Sequence, residues 1–258
     1  MRKGKASKFL IYFQSYTFTF SRVARLQKYF EECSAMEDVV GFVVGTRPDC
    51  LSDSVIDLWN AYSKKLPIFV ELGVQSFNDA QLSWMKRGHD ARKSIWALQR
   101  LEKKCPDVNV GIHLMFGLPG ESDRQIIETA ELINLLPIQN VKLHNLHVLK
   151  NTPLEKEFFA KKFTPIDLDE YCHRVGQFLI HLNPNIPVHR LAANSARREE
   201  LIAPDWTGDK MRTYQYMLDY LKNRDLYQGQ KFVADLGTQG FFPQEFDSTL
   251  SVTVENLV

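Results

Sequence analysis

Short apolar runs alternate along the chain with longer stretches whose apolar side chains recur at helical spacing. Residues 9–13, 39–44, 68–74, 108–116 and 141–149 read as strands, and 188–192 as a weaker last one. Helices are predicted over 21–33, from Ser52 or Asp53 to about 64, over 78–104 with a break near Gly88, over 123–135 and over 167–182. The first of these places Val23, Leu26 and Phe30 on one face, with Ser21 as its N-cap. Strands that alternate with helices imply βα units and a parallel sheet. The strands are nearly all apolar, as for strands covered on both faces. The expected fold is α/β: a partial, open TIM-like β/α barrel of parallel strands. A doubly wound open sheet is the alternative. Beyond Ala203 the pattern changes to a helix over 209–224 and then, from Gly229, a tail without a clear period. The division expected is a barrel over 1–203, with 204–258 as a C-terminal helix and irregular tail packing on it.

A chain of 258 residues is long enough to bury the core of one such domain. Its 44% apolar and 24% charged residues are ordinary for a globular protein. With 32 Lys+Arg against 31 Asp+Glu, no broad field favours nucleic acid or an anionic membrane, although a local basic patch stays open. No apolar run approaches the ~20 residues that cross a bilayer. The basic start is followed by an apolar run too short and too aromatic for a signal peptide, so the expected compartment is the cytoplasm. Cys33, Cys50, Cys105 and Cys172 are never closer than 17 positions, so neither CxxC nor CxxxCxxC occurs. Four unpaired thiols, and no metal site built from them, are expected.

Sites in parallel βα folds gather at the C-terminal ends of the strands. The polar residues at those ends are Gln14 and Ser15; Thr46, Arg47 and Asp49; Glu71, Gln75 and Ser76; His113 and the turn from Gly117 to Glu121; and Lys142, His144, Asn145 and His147. Alternation along a strand puts Glu71, Gly73 and Gln75 on one face and Leu72 and Val74 on the other. If the apolar set packs on the helices, Glu71, Gln75 and His113 line the barrel interior. A buried Glu needs a partner or a task. It is either an ion pair with Arg47 or Arg87, or a group facing a ligand. Gly73 and Gly111 make room either for another molecule or for a neighbouring side chain. His144 and His147 differ in parity, which argues against a His-x-x-His metal pair. Arg190, Asn194, Ser195, Arg197 and Arg198 form a late polar cluster that could close over an anionic or nucleotide-like ligand, or be an exposed loop.

Together, the stretches 43–49 (VVGTRPD), 71–77 (ELGVQSF), 87–89 (RGH) and 117–121 (GLPGE) resemble the radical S-adenosylmethionine (SAM) superfamily, near the Elongator catalytic subunit and oxygen-independent coproporphyrinogen oxidase. The stretches 12–17 (YFQSYT), 142–147 (KLHNLH) and 189–198 resemble more narrowly its YhcC-like subfamily. The resemblance spans about residues 8 to 225 and implies a partial barrel with a [4Fe–4S] cluster held by CxxxCxxC after the first strand. SAM on that cluster is cleaved reductively to a 5′-deoxyadenosyl radical, with an electron donor such as flavodoxin or ferredoxin. By matching position, Gln75, Arg87 and His113 would meet SAM's ribose and carboxylate. Gln14 and Ser15 would meet its amine, Thr46 or Arg47 its sulfonium side, and Gly117 its adenine, while Glu71 lines the same chamber. The chain opens at what would be the family's second strand. The expectation is therefore that this polypeptide alone holds no cluster, lacks radical activity and binds SAM weakly. Two other readings remain: a degenerate barrel that binds a nucleotide, RNA or protein without iron–sulfur chemistry, and a metal-independent enzyme using Glu71 with His113.

Overall fold

The computed structural model describes residues 7–14, 17–195 and 198–234. In chain order the elements are β1 (Phe9–Phe13), α1 (Val23–Ser34), β2 (Val39–Thr46), α2 (Asp53–Ser63), β3 (Ile68–Gln75), α3 (Asp79–Trp84), α4 (Ala91–Lys104), β4 (Asn109–Phe116) and α5 (Asp123–Asn134). There follow β5 (Asn140–Asn145), β6 (Val148–Leu149), α6 (Pro153–Phe159), α7 (Leu168–His181), β7 (Val188–Arg190), β8 (Leu201–Ala203) and α8 (Lys210–Asn223). β1, β2, β3, β4, β5 and β7 form one parallel sheet in that spatial order. A doubly wound sheet would reverse its strand order partway. Here the order never reverses, and right-handed crossovers then carry the connecting helices α1, α2, α4, α5 and α7 to the same face. The result is an open half-barrel of the TIM-like type, with β1 and β7 at its two edges.

The helix-facing side of the sheet is the core. Phe42 and Val44, Val70 and Leu72, Ile112 and Leu114, and Val141 and Leu143 are buried with Phe30, Trp59, Leu98, Ile133 and Phe178 of the helices. The opposite side carries polar side chains, Glu71 and His113 among them as expected, and stays part-open, His113 and Lys142 keeping 19% and 21% of their side chains exposed. α8 joins the same core through Met217 and Tyr220. From residue 235 the tail that was expected to wrap the barrel lies outside the described residues. Among the described residues no helix is long and apolar enough to cross a membrane.

Three local readings are corrected. α1 begins after Arg22, which has no side-chain cap bond, so Ser21 stands one residue too early to cap it. The single strand expected over 141–149 breaks after Asn145, and β6 instead pairs antiparallel with β8. α6 was missed, although Thr152 accepts from the Glu155 amide and Pro153 opens the helix, a start signal present in the sequence.

Gly111 is required by packing: a Cβ there would lie 2.1 Å from Oδ1 of Asn140, whose Nδ2 donates to Asn109 Oδ1 at 2.8 Å. Gly111→Ala is expected to destabilise the fold by about 1–3 kcal/mol in urea titrations. Adding Asn140→Ala is expected to recover part of that loss. Equal stability of Gly111→Ala and wild type would refute the packing account.

Candidate active site

The part-open face holds a ladder of polar side chains that crosses the sheet. Register creates it. Tyr12 lies opposite Val43, Gly45 opposite Glu71, Glu71 opposite Gly111, His113 opposite Lys142, and Lys142 opposite Arg190. Tyr12 crosses β2 above Gly45, where an added Cβ would already touch the ring at 3.9 Å. Its hydroxyl donates to Glu71 Oε2 at 2.5 Å. His113 Nε2 lies 3.1 Å from the same oxygen, and Lys142 Nζ donates to Oε1. The His113 and His144 rings are 5.2 Å apart, and Arg190 Nη2 rests on His144 Nε2.

These contacts set the charge states. Burial alone raises the Glu71 carboxyl, but hydrogen bonds from His113, Lys142 and Tyr12 outweigh it and hold the group at about 2. Tyr12 is 43% exposed as a residue, yet its hydroxyl end turns inward. Burial there, and the bond to Glu71, push its phenol well above the ordinary value. Burial, then the Arg190 and His113 charges, drive His144 down to about 3, so its ring is neutral near pH 7. A carboxyl held at about 2 is a poor general base at neutral pH, which disfavours acid–base catalysis by Glu71 with His113.

A second group forms at the C-terminal ends of β2 and β3. Thr46 Oγ1 is buried and bonded to Thr19 Oγ1 at 2.5 Å. Arg47 forks onto Asp49 at 2.9 and 2.5 Å. The following Arg-Gly-His loop closes over that pair: a Cβ on Gly88 would sit 2.2 Å from Arg47 Nη2, and His89 Nδ1 lies 3.5 Å from Asp49 Oδ1. Arg87 Nη2 donates to Gly73 O at 2.9 Å, while its Nε is buried without a partner. Burial, and then the nearby Arg47, lower the Arg87 pKa. Gln75 has a φ of 70°, a left-handed conformation uncommon for a residue with a side chain.

The site residues read from the sequence therefore fall into two groups. Glu71 and His113 belong to the ladder, and Thr46, Arg47, Gln75 and Arg87 to the mouth. Gln14 is exposed at the end of β1, and Ser15 lies outside the described residues. Gly117 stands apart. Its φ of 87° requires glycine, its amide donates to Glu121 Oε2 at 2.8 Å, and a Cβ there would meet Ile166 at 3.1 Å. The ion pair considered for Glu71 is not formed, since Arg47 holds Asp49 and Arg87 holds a backbone carbonyl. Gly73 and Gly111 make room for side chains of this chain, Gln75 with Arg87 and Asn140 respectively. The late polar cluster divides: Arg190 joins the ladder, Asn194 Nδ2 donates to Thr207 O at 3.3 Å, and Arg197 lies outside the described residues. Tyr12, Lys142, His144 and Arg190 were not singled out as one site. Strand parity could have aligned them, but their register across the sheet could not be read from the chain.

Comparison with known proteins identifies the architecture. The Radical SAM superfamily model matches residues 13–133, and the Radical_SAM C-terminal domain model matches 138–223. Protein YhcC of Escherichia coli K12 is 35% identical over 231 residues, covering 88% of this chain and 72% of that protein. The uncharacterized protein MJ0486 of Methanocaldococcus jannaschii is 32% identical over 232 residues, covering 90% and 71%. The chain belongs to the radical SAM superfamily. Among solved structures, Elp3 of Methanocaldococcus infernus with an N-terminal deletion superposes with a TM-score of 0.71 at 19% identity. That match covers 89% of this chain and 57% of the Elp3 chain, and it establishes a shared fold.

Because the folded-state pKa of Glu71 lies below its ordinary 4.5, the carboxylate contributes stability above that value, and the contribution is lost as pH falls towards about 2. Denaturant titrations across that interval are expected to show this loss in wild type and a flatter profile in Glu71→Gln. At neutral pH, Glu71→Gln is expected to cost about 1–3 kcal/mol, since Lys142 and His113 lose a charged acceptor. Parallel profiles would show that Glu71 does not hold the ladder.

Proposed function

We propose that this half-barrel is the chamber of a radical SAM enzyme, with SAM at the mouth and the substrate on the ladder. The observation that carries the reading is Arg87, whose buried Nε has no partner at the strand ends of a superfamily barrel, beside a left-handed Gln75. An unspent guanidinium N–H suits SAM's carboxylate, and the Gln75 amide and the His113 ring suit ribose hydroxyls. Thr46 and Arg47 suit the sulfonium side because Asp49 already balances the Arg47 guanidinium. Gln14 offers an exposed amide to the amine, and Gly117 offers backbone to the adenine.

A [4Fe–4S] cluster with SAM bound would supply reductive radical chemistry for hydrogen abstraction, with Arg87, Gln75 and His113 holding the SAM. The cysteines of this chain do not fit such a cluster. Cys105 and Cys172 are buried, Cys33 and Cys50 lie on separate elements, and no group of three metal-binding side chains occurs among the described residues. A cluster would need ligands from outside these 258 residues, and an electron donor of flavodoxin or ferredoxin type would serve the protein that carries it.

Equilibrium dialysis with S-adenosylhomocysteine is expected to show saturable binding, weakened about tenfold in Arg87→Ala. No saturable binding, or equal binding by both proteins, would overturn the assignment of the mouth. Anaerobic reconstitution of this chain with iron and sulfide is expected to leave it with substoichiometric iron, checked by iron and sulfide assay.

A further inference from the structure

The ladder is unevenly charged. At its β1 end, Glu71 is matched by Lys142 and capped by Tyr12 and His113. At its β7 end stands Arg190, for which the described residues provide no ion pair. Its Nε donates to Leu143 O at 3.3 Å, and its Nη2 rests on the ring of His144. Glu71 attracts Arg190 only across the sheet and no carboxylate among the described residues bonds to it, and a half-buried cation without a bonded counter-anion is costly to maintain. His144 holds the guanidinium in place without neutralising it, because the ring is itself uncharged near pH 7. A carboxylate in that position would have quenched the fork. An imidazole keeps it oriented and available.

We propose that Arg190, held by His144, is the recognition point for an anionic group, carboxylate or phosphate, on the molecule that this half-barrel acts on. The inference rests on the reading of the half-barrel as a reaction chamber and names the substrate chemistry for it. A planar guanidinium fork binds such oxygens through two parallel N–H bonds. The anion is not SAM's own carboxylate in the proposed pose. Arg87 contacts β3, and Arg190 lies on β7, three strand spacings across the sheet, or about 14 Å. A substrate anchored at Arg190 would instead lie over His144 and Lys142, with the rest of the molecule directed towards the SAM ribose at His113.

The test uses acetate and inorganic phosphate as probes, with chloride at matched ionic strength as the reference. Binding is read from the ring-nitrogen NMR shifts of His144, and S-adenosylhomocysteine affinity is measured in parallel. Wild type is expected to respond saturably to at least one probe. Arg190→Gln is expected to lose about tenfold or more in probe affinity, and Arg190→Lys, which keeps the charge but not the fork, to fall between. Circular dichroism checks the fold of each variant, and Arg190→Lys alone decides the matter if Arg190→Gln does not fold. Loss of probe binding with unchanged S-adenosylhomocysteine affinity supports the proposal, and the tighter probe identifies the carboxylate or phosphate source. Chloride-like behaviour in wild type, or unchanged probe affinity in the variants, overturns it. Parallel loss of S-adenosylhomocysteine also overturns it, because Arg190 would then belong to the cofactor. Arg190-dependent probe binding with no S-adenosylhomocysteine binding in any variant would refute the cofactor assignment and leave the anion site standing.

Discussion

Glu71 sits in the middle of the sheet face that the helices leave open, and three donors from three other strands converge on it. Much of that face's polarity is organised by this carboxylate. A single acidic group among apolar strands would be expelled or protonated. With Tyr12, His113 and Lys142 around it, it stays ionised and fixes their side chains in turn. The helix-facing side of the same strands is aliphatic and aromatic and supplies the burial energy. One strand set therefore serves two purposes, and the two-residue alternation of side chains keeps them apart.

Much of the fold could be read in the sequence because its signals are local. Apolar runs, helical spacing and caps such as Ser52 and Asp167 depend on neighbours in the chain, and strand order follows from short right-handed crossovers. One error arose where distant contacts decide. The run over 141–149 divides because its last two residues find β8, some fifty positions later.

The site was legible in part. Parity placed Glu71 and His113 on the interior, Arg47 and Gln75 were read at strand ends, and Arg87 entered through the Arg-Gly-His stretch of the family resemblance. Which cation meets which carboxylate depends on register, and so Lys142, not an arginine, pairs with Glu71. The glycines show the same limit. Gly73 and Gly111 left two occupants open, and each accommodates a side chain of this protein. Superfamily membership and geometry complement each other here: membership points to the kind of chemistry, while the geometry separates the Arg47–Asp49 and Arg87 group at the strand ends from the Glu71 ladder.

Tyr12 reaches past its neighbouring strand to bond to the next one, over the gap left by Gly45. The outermost strand is thereby connected to the middle of the sheet by a side chain as well as by its backbone ladder. When β1 frays, as edge strands do more readily than central ones, the phenol leaves with it and Glu71 loses a donor. Breathing at the rim of the sheet is then transmitted to the proton affinity of its centre, so that an edge motion and the charge of the chamber floor become a single coupled variable.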